Sequence, residues 1–376
     1  VAVEKRLHLE PAATNVPLLG FIVAVLFSYL WGNAFRDPLV VTWSTWPFVQ
    51  LGALAEMVLL PGAFLLTANT VRSTRLLTAI TVLMSGAGAL YLSGFLIMMG
   101  VPSQRETMRA LISQFNSGGM FSMWFGLLIY TQILFNKRLP QWLRLGLVGL
   151  LVVWVYRFFV VGVTWMAGWF VPAVAFMAVS FLRSKRFFLV LLLLLAIYLA
   201  LNWNYLVGVV AAREASESGY TRLRAYQQNW QVTQYHFLFG MGPVGYAVYY
   251  MTYFPNVAMA SHSDYIDVLA QTGVVGLALY LAFFGALLWT AYGLVRRLRG
   301  RSDFVEAYAN ALFAGGVGCV VAMGLGTWLI PFIYTASLAG FDHAVYSWLL
   351  LGTTVALRRI VVPTIDADGS GESALG

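Results

Sequence analysis

Apolar segments of about twenty residues recur along almost the whole chain, and they restrict the fold more than any other feature. Of the 376 residues, 60% are hydrophobic and only 10% are charged. This is far from the balance of a soluble domain, in which about 25% of the residues are charged. A helix needs about 20 mostly apolar residues to cross a bilayer. The sequence therefore predicts an all-α fold, a polytopic integral membrane helix bundle.

Length and hydropathy predict about ten transmembrane helices. The ten segments are Pro17–Asn33, Phe48–Ala68, Leu76–Met99, Gly118–Phe135, Leu145–Val163, Thr164–Leu182, Phe187–Ala211, Tyr265–Tyr292, Phe304–Ile330 and His343–Leu357. The predicted organisation comprises a cytoplasmic N-terminus (1–16), seven helices (17–211), a large external, periplasmic loop between spans seven and eight that bears the site (212–264), three helices (265–357) and a disordered cytoplasmic tail (358–376).

The basic residues predict how this bundle is oriented. Short cytoplasmic loops of membrane proteins carry an excess of Lys and Arg. With the N-terminus inside, every second connection is basic, and the inner segments hold 16 of the 23 Lys and Arg residues. We therefore expect both termini to be cytoplasmic. The net charge of +8 is then a topology signal, and no nucleic-acid partner is expected.

The titratable residues limit the chemistry. The single cysteine, Cys319, lies in an apolar segment, so neither a disulfide nor a cysteine-based metal site is expected. With four histidines and no carboxylate pair that resembles a cation ligand set, the sequence predicts no metal and no cofactor. No cleavable signal peptide is expected, because the first apolar segment is a full span.

The predicted external loop starts with a helical pattern. Leu223, Tyr226, Trp230 and Phe237 recur at spacings of three, four and seven among charged and amide residues. The pattern fits an amphipathic helix on the membrane surface and a lid over a cavity equally well.

Three glycines follow in the same loop. Gly240, Gly242 and Gly245 allow a turn or a close approach of the backbone to another group. The turn is favoured, because no strand precedes them as a nucleotide-binding fingerprint requires.

Polar residues also cluster where the loop re-enters the membrane. His262, Asp264 and Asp267 lie at this point, and titratable residues near hydrocarbon mark a candidate site. Arg157 lies inside the fifth predicted span, where it costs at least about 2.5–3.5 kcal/mol. It either extends to the external interface or faces inward and holds an anion.

Three motifs occur in a recognisable order. They are Arg222-Leu223-Arg224-Ala225-Tyr226, then Leu238-Phe239-Gly240-Met241-Gly242, then His262-Ser263-Asp264-Tyr265 with Leu269, Gly273 and Gly276. In this order the chain resembles the O-antigen ligase and O-antigen polymerase (Wzy-like) superfamily of bacterial glycan-assembly membrane proteins. The resemblance is specific over Tyr220–Leu281. The chain departs from the family pattern at Ser263, Tyr226 and the residues flanking Arg157, where family members often have Asn, Trp and Ser-Arg-Gly.

The resemblance implies a metal-independent glycosyltransferase in the bacterial plasma (inner) membrane, a multi-pass protein. Its partners would be an undecaprenyl-diphosphate-linked glycan donor, a glycan or lipid-glycan acceptor, and membrane lipid. Arg222, with Arg224 or Arg157, would bind the diphosphate, because the guanidinium fork matches phosphate oxygens. His262 would act as the general base for the acceptor hydroxyl, with His236 as the second choice.

The remaining roles implied by the resemblance are less defined. Asp264 or Asp267 would orient the imidazole or the acceptor, and aromatic residues such as Tyr226 would stack on sugar faces. Ligase and polymerase activities stay open, because both use the same donor. A flippase or transporter of lipid-linked oligosaccharides and a non-catalytic membrane scaffold are the alternatives.

Overall fold

A computed structural model describes residues 9–115, 118–162, 166–208, 212, 219–255 and 260–372. These ranges fold into α-helices joined by short connections, and they contain no strand. The predicted all-α fold is confirmed. The first eight and last four residues, which belong to the predicted termini, lie outside the described ranges.

The helices have the following bounds in chain order: α1 Asn15–Ala34, α2 Trp46–Thr70, α3 Thr74–Gly100, α4 Arg105–Phe115, α5 Gly118–Phe135, α6 Gln141–Val155, α7 Met166–Arg183, α8 Lys185–Leu201, α9 Trp203–Leu206, α10 Gly219–Thr233, α11 Tyr246–Tyr253, α12 Asp264–Leu298, α13 Phe304–Leu325, α14 Ile333–Ala336 and α15 Ala339–Glu372. A π-helical turn, Tyr156–Val161, extends α6, and 3-10 turns occupy Pro102–Gln104 and Gln234–His236.

Seven of the described helices are long and apolar enough to cross a membrane. They are α1, α2, α3, α6 with its π-turn, α12, α13 and the first part of α15. The other three predicted spans coincide with shorter helices, α5, α7 and α8. The polytopic bundle is confirmed, while the count of ten stays a prediction. The backbone of α15 also continues to Glu372, beyond the predicted end of the last span at Leu357.

Polar caps fix the beginning of several helices. The Ser73 hydroxyl accepts a hydrogen bond from the Leu76 N–H at the start of α3. The Asp303 carboxylate accepts from the Val305 and Glu306 N–H groups, both at 3.1 Å, at the start of α13. Such caps satisfy amide groups that have no partner within the helix. They allow apolar helices to start directly after short polar connections.

The core of the bundle is a chain of buried aromatic rings. Phe21 of α1 contacts Tyr280 of α12 with ring centroids 5.1 Å apart. Phe64 of α2 packs edge-on against Phe283 of α12 at 5.0 Å, and Phe283 stacks on Trp348 of α15 at 5.7 Å. Such pairs stabilise the fold beyond their buried area. They join α1, α2 and α15 to α12, which therefore lies at the centre of the bundle.

The two ends of the bundle differ in character. At one end, Arg359 donates a hydrogen bond to the Val71 carbonyl at 2.6 Å, and the Lys137 N–H donates to the Ser302 carbonyl at 3.0 Å. We call this the basic end, because its connections carry the Lys and Arg residues that predict the cytoplasmic side. At the other end, which we call the loop end, residues 35–45, 219–255, 260–263 and 326–338 meet.

Candidate functional site

The described residues that precede α12, 219–255 and 260–263, pack onto the bundle. In helix α11, Tyr246–Tyr250 are all buried, among Val40, Trp46 and Phe332. The Tyr246 ring stacks on the Phe332 ring at 4.7 Å. The segment is thus a packed part of the loop end, and it can hold side chains in fixed positions.

The helix predicted from the Leu223–Trp230 spacing is confirmed as α10. Its inner face packs against α11 and α12 and includes Gln228 and Asn229, both more than nine-tenths buried. Its outer face leaves Leu223 63% and Trp230 50% exposed. The apolar residues that predicted the helix therefore face outward in part, while amides line the protein side.

Buried polar atoms collect beneath α10 with unused hydrogen-bonding capacity. Within the described residues, Gln228 Oε1, Asn229 Nδ2 and Asp267 Oδ2 are buried without a hydrogen-bond partner. Tyr246 donates a hydrogen bond to Asp267 Oδ1 at 2.6 Å, and Tyr250 donates to the Ala225 carbonyl of α10. A buried polar atom that is left unpaired costs about 1–3 kcal/mol, so such a group is a candidate for ligand contacts.

The burial of these tyrosines also fixes their protonation state. Burial raises the pKa of Tyr246 well above its usual value, and the Asp267 carboxylate beside it raises the pKa further. Burial likewise raises the pKa of Tyr250, with Asp267 contributing. Both phenols are therefore neutral hydrogen-bond donors at physiological pH.

Residues 237–245, which contain Gly240, Gly242 and Gly245 and which we call the glycine segment, pack against the backbone of α12. Gly240 and Gly242 have positive φ values of 72° and 84°, and α12 is broken at Gly273, where φ is 68° and ψ is −175°. The Met241 and Gly242 N–H groups donate to the carbonyls of Ala270 and Gln271, both at 2.9 Å. The turn favoured by the sequence is present. It also satisfies the polar groups that the break in α12 exposes.

Helix α1 and the Gln271 side chain of α12 also hold this docked segment. Ser28 of α1 donates its hydroxyl hydrogen to the Gln271 carbonyl, and the Gln271 side chain accepts from the Val244 N–H at 2.6 Å. Gly32 of α1 lies so close that a Cβ atom there would be 2.3 Å from the Met241 carbonyl oxygen. The glycine segment therefore lies between α1 and the break at Gly273 and contacts both.

His262 lies in a constrained turn before α12. Its φ is +56°, a left-handed conformation that is uncommon for any residue except glycine. The neighbouring Ser261 and Ser263 are buried, and the Ser261 hydroxyl accepts the Ser263 N–H at 3.1 Å. Ser263 in turn donates its hydroxyl hydrogen to the Met323 carbonyl at 3.2 Å. His262 itself stays partly exposed between its fixed neighbours.

Asp264 has a structural partner. Its fully buried carboxylate accepts hydrogen bonds from the N–H groups of Trp328, Leu329 and Ile330 at 3.0, 3.0 and 3.1 Å. Its own N–H donates to the Gly326 carbonyl at 3.2 Å. Asp264 thereby ties the start of α12 to the connection after α13. A part in substrate binding stays a prediction for this residue.

His236 lies against the connection between α1 and α2. Its ring meets the Tyr249 ring edge-on with centroids 5.1 Å apart. Tyr253 donates a hydrogen bond to the Asp37 carboxylate, and the Asp37 N–H donates to the Tyr249 hydroxyl at 3.2 Å. Burial lowers the pKa of His236, an effect that the negative charge of Asp37 partly offsets. The pKa of Asp37 is lowered in turn, chiefly by the Tyr253 hydrogen bond.

The predicted arginines lie on two elements, Arg222 and Arg224 on α10 and Arg157 in the π-turn after α6. The backbone of Arg222 belongs to the first turns of α10, while its side chain lies outside the described part of the structure. Arg224 is exposed and Tyr226 partly buried on the same helix. Arg157 lies in the π-turn after α6, and its guanidinium lies over the rings of Phe95 and Phe158 at 5.2 and 5.3 Å. These contacts hold the charge by cation–π attraction.

Sequence reasoning missed several residues that the structure brings to this end. Asp37 and Gln271 have partners that are distant in sequence, while Gln228 and Asn229 each bury a polar atom without a partner among the described residues. The run of amides at 227–229 inside an otherwise amphipathic helix was the available signal for two of them. In the part of the chain that the structure describes, no group of three or more His, Cys, Asp or Glu is placed to hold a metal ion.

The fold and the site together define a multi-pass helical membrane protein with a folded loop segment at one end. Residues 158–281, about one third of the chain, match the family model Wzy_C, described as O-antigen ligase. This match supports the O-antigen ligase and polymerase family and confirms the resemblance inferred from the motifs. It contains α10, the glycine segment, His262 and the break in α12. No curated protein matches the chain.

Proposed function

We propose that the chain is a glycosyltransferase of the O-antigen ligase or polymerase type. It would transfer glycan from an undecaprenyl-diphosphate carrier to a sugar hydroxyl at the outer face of the plasma membrane. The observation that carries this proposal is the buried polar cluster of Gln228, Asn229 and Asp267 beneath α10. It lies in the segment that matches the family and close in sequence to the predicted site residues.

The proposed reaction is a substitution at the anomeric carbon of the donor. The acceptor oxygen forms a bond to that carbon while the bond from the carbon to the diphosphate oxygen breaks. The electron pair of the broken bond leaves with the diphosphate, and the acceptor proton passes to His262. His236, which has a lowered pKa, is the second candidate for the base.

The departing diphosphate requires fixed cations. Arg222 is the first candidate, because position 222 shares a helical face with Ala225 and Asn229 at spacings of three and seven. Arg224 and Arg157 are the additional candidates. Asp264 and Tyr226 complete the proposed binding residues. In this arrangement the neutral hydroxyl of Tyr246 holds Asp267 in place beside the acceptor.

The test is a transfer assay with purified protein in nanodiscs and an undecaprenyl-diphosphate oligosaccharide, with EDTA present. Wild type should form transferred or longer glycan, whereas Arg222→Ala and His262→Ala should form none. Arg222→Lys should recover little, since a point charge does not reproduce the guanidinium fork. Arg109→Ala is the matched control, because Arg109 is exposed and pairs with Glu106 on α4. Wild-type rates in both site variants would refute the assigned roles.

A lipid-linked oligosaccharide flippase is the second candidate, because a helix broken in its span is a feature of transporters. Two observations weigh against it. The backbone carbonyls at the break already accept hydrogen bonds from the glycine segment, so they are not available to a transported substrate. Hydrogen bonds of Ser28 and Gln271 hold the glycine segment in this position. Movement of labelled donor across liposomes without glycan transfer would favour the flippase over the enzyme.

A further inference from the structure

A basic cavity lies at the opposite end of the bundle from the candidate site. Its volume is about 320 Å³, and it opens between α5, α7, α12 and α13. Four cationic side chains line it: Lys137, Arg183, Arg296 and Arg299. The positive-inside rule accounts for basic residues in these connections, but it does not require them to converge on one cavity.

No described carboxylate forms an ion pair with these four cations. Among the described residues, the ion pairs are Arg109–Glu106, Arg301–Asp303 and Arg359–Glu10, and none involves the four cavity cations. Among the described residues that line the cavity, Glu306 is the only acidic one. Its two oxygens accept the Gly300 and Ser302 N–H groups at 3.1 and 2.6 Å. The lining thus keeps an excess of positive charge.

The walls of the cavity are ordered by contacts of their own. The Arg183 guanidinium lies over the Phe135 ring at 5.8 Å, and both residues line the cavity. The Lys137 N–H donates to the Ser302 carbonyl at 3.0 Å, which joins the two connections that carry Lys137 and Arg299. The Arg183 guanidinium is thus held in place, and a fixed cation loses less freedom on binding an anion than a mobile one.

One buried atom in the lining points to a ligand with a hydrogen-bond donor. Asn310 is 2% exposed, and its Nδ2 donates to the Glu306 carbonyl at 2.8 Å. Its Oδ1 is buried without a partner among the described residues. Apolar side chains, among them Leu134, Leu182 and Val295, complete the lining. The cations match a phosphate group, the Asn310 oxygen matches a hydroxyl donor, and the apolar walls match acyl chains. A phospholipid whose headgroup carries a hydroxyl combines all three.

We propose that this cavity binds the headgroup of an anionic phospholipid that bears a hydroxyl, of the phosphatidylglycerol type. The arginine forks hold the phosphate oxygens, and Asn310 Oδ1 accepts the headgroup hydroxyl. The acyl chains then lie along the apolar wall toward the bilayer. Basic pockets between transmembrane helices on the cytoplasmic side bind anionic headgroups in this way. The site is independent of the proposed glycan transfer.

The test is lipid binding to the purified full chain, measured by native mass spectrometry after delipidation. Wild type should bind phosphatidylglycerol at least about tenfold more tightly than phosphatidylcholine, because an interaction of 1.4 kcal/mol changes affinity tenfold. The double variant Arg183→Gln/Arg299→Gln should lose this preference. Arg72→Gln/Arg75→Gln, which removes two exposed cations at the same end, should keep it.

Three results would overturn the proposal. One is equal affinity of wild type for the two lipids, a comparison that does not depend on the folding of any variant. Another is an equal loss of affinity for phosphatidylglycerol in the two double variants. That result would mean that the total charge of this end, rather than the cavity, attracts the lipid. The third is displacement of the lipid by an equal concentration of inorganic phosphate, which would assign the cavity to free anions.

Discussion

Gly240 packs against the backbone just before Gly273, and Gly273 packs against the backbone just before Gly240. A Cβ atom on Gly240 would lie 2.3 Å from the Gln271 carbonyl oxygen, and one on Gly273 would lie 2.2 Å from that of Leu238. Both residues have positive φ, and the Val274 N–H donates to the Phe237 carbonyl at 2.8 Å beside them. The glycine segment and the break in α12 therefore require each other.

This relationship predicts that Gly273→Ala is strongly destabilising. The left-handed backbone alone costs an alanine about 1–2 kcal/mol, and the overlap with Leu238 adds to this. The midpoint of thermal unfolding in detergent should fall, and glycan product should be lost with it. Gly285→Ala is the control on the same helix, because a Cβ there meets nothing within 4 Å. Equal midpoints for the two variants would contradict the packing argument.

Asp264→Asn should lower stability, because the carboxylate accepts three backbone hydrogen bonds in a fully buried position. Asparagine replaces one of the two accepting oxygens by an NH2 donor and leaves at least one buried backbone N–H unpaired, so a loss of about 1–3 kcal/mol is expected. Chemical denaturation in detergent measures this loss. Asp342→Asn is the control, since Asp342 is an exposed aspartate at the start of α15. An unchanged unfolding free energy with lost activity would instead place Asp264 in the chemistry.

The fold could be predicted from sequence to the extent that it follows from local pattern. The long apolar runs identify the seven helices that are long enough to cross a membrane, and the spacing of Leu223, Tyr226 and Trp230 identifies α10. The break at Gly273 could not be predicted, because it depends on contacts with the backbone of residues 237–242, which is distant in sequence. The partners of Asp37 and Gln271 were likewise hidden. Tyr253 lies 216 residues from Asp37, and that contact exists only after the bundle assembles.

His236 should make stability depend on pH. Burial lowers the pKa of its imidazole in the folded protein below the usual value of 6.5. The unfolded chain then binds a proton more readily than the folded protein, so stability is complete above about pH 6.5 and decreases as the pH falls below it. The unfolding midpoint of wild type, measured between pH 5 and 8, should show this decrease. His236→Gln should flatten it, and a wild-type slope in this variant would exclude His236 as the cause.

The last prediction separates the backbone of His262 from its imidazole. The residue has a φ of +56°, which asparagine tolerates better than most residues and glycine adopts freely. His262→Asn and His262→Gly should therefore keep the unfolding midpoint of wild type. General-base catalysis contributes about 10²–10⁴-fold, so both variants should lose that factor in the rate of glycan transfer. Added imidazole should restore part of the rate in His262→Gly, where the space of the side chain is free, and much less in His262→Asn. A folded His262→Asn protein that transfers glycan at the wild-type rate would show that the base lies elsewhere, with His236 next to be tested.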